Sequence, residues 1–231
     1  MSARCWAALC TVLIFGVSNG RAEPVSSPGR RVVVYLQNGS SPEAVRTLPY
    51  MQRELEALMQ SAGYRVEWKV PGKPSDDKPS NGKPADEGDG VLAVVELRGS
   101  CRVSESAVHM TPVKNGASLA ATAVDGDQVL PFSWINCETL TQLLTPTLAG
   151  MESEKRDFLY GRAMGRVAAH ELYHILANER EHSGSGVGKS SFSAGDILAD
   201  HFIFEGSALA LLNAPDPGTG PASAEESAAG R

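Results

Sequence analysis

The chain has 231 residues, 42% of them hydrophobic and 21% charged, with a formal net charge of −6. That length and composition suit one globular domain with its own core. The acidic balance argues against nucleic acid or an anionic membrane surface as a partner.

In chain order, Arg4 precedes the apolar run Cys5–Val17, and small and polar residues follow up to Arg21-Ala22-Glu23-Pro24. This pattern predicts a signal peptide over residues 1–22, cut after Ala22. The run is shorter than the roughly 20 apolar residues of a membrane span. The expectation is therefore an exported chain, secreted or periplasmic, without stable membrane insertion; the alternative is an N-terminal anchor. Cys5 and Cys10 would leave with the signal. Cys101 and Cys137 would then remain in an oxidising compartment, which predicts one disulfide between them.

Arg31–Leu36 is a β-branched run and reads as a buried strand. A turn follows at Asn38–Pro42, and Ser41-Pro42-Glu43 reads as a helix start. Leu48, Met51, Leu55, Leu58 and Met59 recur at helical spacing, ending near Gly63. Tyr64–Val70 alternates as a second strand. Residues 71–90 are Pro, Gly, Lys and Asp with almost nothing apolar, and read as a flexible insertion. Val91–Leu97 is a third strand. Ser118–Val124 and Gln128–Ile135 form a predicted hairpin around Asp125-Gly126-Asp127. Cys137 follows it, so a bridge to Cys101 would join neighbouring strand ends.

Leu140, Leu143 and Leu144 mark a short helix expected to stop before Pro146. A long helix is predicted from about Glu154 to Glu179, and a second from Ala194 to Leu212. The tail 213–231 reads as disordered. The whole predicts an α+β domain over residues 23–212, with the late helices packed on a small sheet.

His170-Glu171-Leu172-Tyr173-His174 lies inside the long helix, and three of the chain's five histidines fall within residues 170–182. Positions i and i+4 share a helix face, so both imidazoles can reach one ion. Glu171 sits about 100° round the helix, beside a metal but not on it, where it can take a proton. Phe158, Leu159, Ala163, Val167, Leu172, Ile175 and Leu176 make the helix apolar on much of its surface. Gly161 and Gly165 leave room for a close neighbour. The downstream candidates for a third ligand are Glu179, Glu181, His182, Asp196, Asp200, His201 and Glu205. His182 is preferred, because the loop Ser183–Gly188 can fold back; Glu205, on the following helix, is the other choice.

The motif His170-Glu171-x-x-His174 with a late histidine resembles the zincin metallopeptidases. A strand-rich N-terminal part with the third ligand soon after the helix is similar to the metzincin branch. In that branch's pattern Ala177 stands at the glycine, Arg180 at the third histidine, and His182 two residues later. No methionine follows Met164, so the branch's methionine turn is missing. The resemblance implies hydrolysis of peptide bonds in a peptide or protein substrate. It implies zinc on His170, His174 and His182, with Glu171 activating a zinc-bound water. A zinc-containing exported binding or structural module without turnover is the competing expectation.

Overall fold

The computed structural model describes residues 30–38, 45–69, 90–103 and 118–214. The expected signal peptide, the Ser41–Glu43 helix start, the expected insertion up to residue 89 and the tail from 215 lie outside them.

Five strands form one sheet: β1 (Arg30–Asn38), β2 (Tyr64–Lys69), β3 (Gly90–Arg98), β4 (Ala120–Asp125) and β5 (Gln128–Asn136). Their order is β2-β1-β3-β5-β4, all parallel except β4, which runs antiparallel to β5 at one edge. The alternation in the strand sequences decides which face is covered. Val32, Val34, Leu36, Ala93, Val95, Leu97 and Ile135 are buried on one face, while Leu92 and Phe132 on the other are exposed. Side chains of a strand point alternately to the two faces, so this pattern follows from the period of two. The fold is α+β, as expected.

The hairpin turns at Gly126 and Asp127, with Asp125 opposite Gln128 and Gly126 at φ 58°. Its register shifts between the Thr122↔Ser133 and Val124↔Val129 pairs. Pro131 lies in that stretch of β5, and a residue without an N–H belongs where the ladder is interrupted.

Helix α1 (Leu48–Ser61) buries Met51, Leu55, Leu58 and Met59, with Pro49 in its first turn. Helix α2 (Cys137–Leu148) starts where Asn136 Oδ1 accepts from the Thr139 N–H, 3.1 Å away. It continues through Pro146, which sequence reasoning placed beyond its end. Proline there removes one backbone bond in the last turn, and the burial of Leu144, Thr145 and Leu148 holds the turn regardless. Cys101 and Cys137 form a disulfide, Cα atoms 4.7 Å apart, joining the segment after β3 to the start of α2.

Helix α3 (Ser153–Ala177) is the central element, buried from Tyr160 through Ile175 except at half-buried Arg162. Gly161 and Gly165 face α1: a Cβ at Gly165 would come within 2.6 Å of the Met51 carbonyl oxygen.

The predicted helix 194–212 is instead two short ones, α4 (Ala194–Leu198) and α5 (Gly206–Leu212), with extended chain between. Phe202 and Phe204 are buried while Ile203 is 37% exposed, a period of two inside a stretch read with a period of 3.6. Arg166 of α3 explains the break. Its guanidinium is 2% exposed, pairs with Glu54 at 2.7 Å and donates to the carbonyls of Ile197 and Ala199. Those carbonyls serve Arg166, and the chain runs on extended, with Phe202 under the guanidinium. The end of α5 is tied down by Arg30 and by Tyr64, whose hydroxyl donates to the Leu212 carbonyl at 3.1 Å.

Candidate metal centre

The last two turns of α3 carry His170 and His174, both buried. The helix ends at Asn178, which adopts the left-handed conformation at φ 46° and ψ 44°. Among the described residues it is the one non-glycine with positive φ. Asparagine tolerates that region, so it supplies the turn that a glycine often does. Asn178 Oδ1 also accepts from the Val129 N–H at 3.0 Å, fastening the helix end to β5.

The chain then folds back. Glu179 Oε1 accepts from the N–H groups of Arg180 and Glu181, both at 2.8 Å. Ser183 N–H donates to the Gly188 carbonyl at 2.7 Å. Val187 N–H donates to the Ile203 carbonyl at 2.9 Å. This route brings His182 over the helix, its ring 5.2 Å from that of His170 and 4.9 Å from that of His174. The loop is held by its own backbone bonds, so the reach of His182 does not depend on looseness.

One ligand nitrogen from each of His170, His174 and His182 lies within 4.8 Å of the others. Two of them are fixed in detail. His170 Nδ1 lies 2.7 Å from the Val187 carbonyl oxygen and His174 Nδ1 lies 2.7 Å from that of Glu179. A carbonyl can only accept, so each Nδ1 carries the proton and each Nε2 keeps a lone pair. The two Nε2 atoms then face each other at 3.1 Å with no proton between them. Tetrahedral zinc with bonds of about 2.0–2.1 Å spaces its ligands by about 3.4 Å, close to what is found. Burial lowers the pKa of both rings, that of His170 to about 4, so both are neutral and ready to bind a cation. This donor set, two buried imidazoles and the exposed His182, can hold a metal ion.

Glu171 stands beside the group and not in it. Its carboxylate is 4% exposed, and Thr122 Oγ1 donates to its Oε2 at 2.6 Å. Burial pushes this carboxyl up to about 7, with the Thr122 bond pulling the other way. A cavity of about 300 Å³ opens over the three histidines, lined also by Glu171, Thr122 and Val129.

The other candidates lie apart. Glu205 precedes α5 and faces His201 at 3.9 Å, outside the histidine group. His201 is largely exposed. Asp196 caps α4 through Ser193. Glu179 contributes a backbone carbonyl where a side-chain ligand was considered. Tyr173 is buried packing. Sequence reasoning missed Thr122 and the two backbone carbonyls. Nothing in the sequence links Thr122 to a residue 49 positions later, whereas Asn178 directly after the last apolar position was a visible helix stop.

No protein-family model matches this chain, and no curated protein matches it.

Proposed function

We propose that this chain is an exported, zinc-dependent peptidase. The observation that carries the reading is the His170–His174 pair: Nε2 atoms 3.1 Å apart, both Nδ1 atoms held by backbone carbonyls, and a buried carboxylate alongside that is no part of the group. A structural zinc site has four protein ligands and no use for such a carboxylate. Two imidazoles at near-tetrahedral spacing, with a third ligand nitrogen within 4.8 Å, favour zinc. When bound, the ion supplies Lewis acidity, polarising a carbonyl oxygen and acidifying water.

The chain's own residues supply the rest. Thr122 occupies Glu171 Oε2, which leaves Oε1 to take a proton from water and return it to the departing amine nitrogen. Strand β4 supports a peptide as the substrate class. No described strand pairs with its outer edge, and Ala120, Ala121, Thr122 and Val124 line the cavity. An edge strand offers backbone donors and acceptors to an extended chain, which favours a peptide over a compact small molecule. The N-terminal apolar run and the disulfide both support export.

Glu171→Gln is the test. It retains one zinc per chain by elemental analysis and lowers peptide hydrolysis by about 10²–10⁴-fold. Wild-type protein that binds zinc but cleaves nothing in a peptide library, with Glu171→Gln indistinguishable from it, would replace the peptidase with a binding module.

A further inference from the structure

We propose that Thr122 is a positioning residue: from the facing edge strand, its hydroxyl fixes the Glu171 carboxylate beside the histidines. The catalytic consequence rests on the peptidase reading, whereas the contact itself does not. A glutamate side chain turns about three bonds, and α3 fixes none of them beyond χ1 preferences. Among the described residues the carboxylate has one hydrogen bond, from Thr122 Oγ1 at 2.6 Å. The same hydroxyl lies 3.4 Å from the Glu171 backbone oxygen, so the shorter contact takes the proton. Its length is that of a hydrogen bond to a charged acceptor.

The strand is built to aim this hydroxyl. Thr122 is opposite Ser133 in the last regular pair before the register shift, and the interrupted ladder at Pro131 follows on β5. Irregularities of this kind redirect neighbouring side chains. Removing the donor would leave a buried carboxylate with no partner, free to turn away from the cavity. Because β4 is also the strand along which a peptide would lie, substrate binding and placement of the base share one element.

The test uses Thr122→Val, which keeps the shape and loses the donor, and Thr122→Ser, which keeps the donor. Infrared spectroscopy of protein carrying ¹³C-labelled glutamate reads the contact: the carboxylate band missing from Glu171→Gln shifts in Thr122→Val and returns in Thr122→Ser. In the zinc-loaded chain, Thr122→Val lowers kcat by about 10–100-fold, as loss of a supporting hydrogen bond does at such sites. KM and zinc affinity stay near wild type, and Thr122→Ser recovers most of kcat. A Glu171 band that ignores Thr122→Val, or a shifted band with kcat unchanged, overturns the proposal. If the wild-type chain cleaves no peptide, the peptidase reading falls, and the infrared band alone then decides whether Thr122 places the carboxylate.

Discussion

His170 and His174 stand one helical turn apart, buried, with a backbone carbonyl behind each ring. His182 stands on a loop, exposed, with ring contacts to both but no hydrogen bond among the described residues. The helix supplies spacing at no further cost, because i and i+4 already coincide on one face. The loop must supply position through backbone bonds around Glu179, Ser183 and Val187. The two regions are not independent. The carbonyls that orient the helical rings belong to Glu179 and Val187, which are residues of the loop. The loop therefore does more for the helical histidines than for its own.

The sharpest way to break this comparison is to remove a ligand from each side. With zinc binding energies of about 10–16 kcal/mol shared among the ligands, losing a preorganised ring costs on the order of 10³-fold in affinity. His174→Ala is expected to show that loss by competition with a chelator. His182→Ala is expected to lose less, because ordering its exposed ring already offsets part of what it contributes. Equal losses would mean that the loop histidine is as fixed as the helical ones.

A smaller effect sharpens the link between loop and helix. Gly186 sits at φ 58°, and a Cβ there would run into the Ile203 carbonyl. Gly186→Ala should strain the turn by about 1–3 kcal/mol and pull Val187 away from His170 Nδ1. Zinc affinity is expected to fall by about 10–100-fold without any ligand being touched. Gly184→Ala, with nothing within 4 Å of its Cβ position, is the control and should bind zinc as the wild type does.

The smallest effect lies further along the same return path. Asp196 accepts from Ser193 and pairs with Lys189 at 3.0 Å; the Ser193 bonds are the main cause that lowers its carboxyl to about 2, from an ordinary value of 3.8. A folded-state pKa below the unfolded one gives stability that is present above about pH 4 and lost as pH falls towards 2. The group is partly exposed, so the contribution is on the order of 0.2–1 kcal/mol. Thermal melts should show wild type and Asp196→Ala converging between pH 4 and pH 2. A gap that persists at pH 2 would mean that shape, not charge, is what Asp196 contributes.

Much of this could be read from residues alone. The β-branched runs, the hairpin around Gly126, the cysteine pair and the three histidines all announce themselves through side-chain chemistry. The failures share a cause. Helix α2 runs past Pro146 because leucines at its far end are buried, and burial is a property of the whole fold. The break after Leu198 is made by Arg166, which lies more than thirty residues earlier. The carbonyls of Val187 and Glu179 carry no residue identity, so no sequence pattern can point to them. Thr122 reaches Glu171 only once β4 has been laid at the sheet edge.

Gly161 and Gly165 have one further consequence. At both positions α3 meets α1 backbone to backbone: a Cβ at Gly161 would come within 2.5 Å of the Thr47 carbonyl oxygen. The height of α3 above its neighbour is thus set by main-chain atoms, which every residue has in common. The apolar residues of α1 are then free to drift under mutation, exchanging one hydrophobic side chain for another, while the histidines keep their place. Tolerance to change is spread along α1 and is concentrated out of α3 at two positions, four residues apart, where the only admissible side chain is a hydrogen atom.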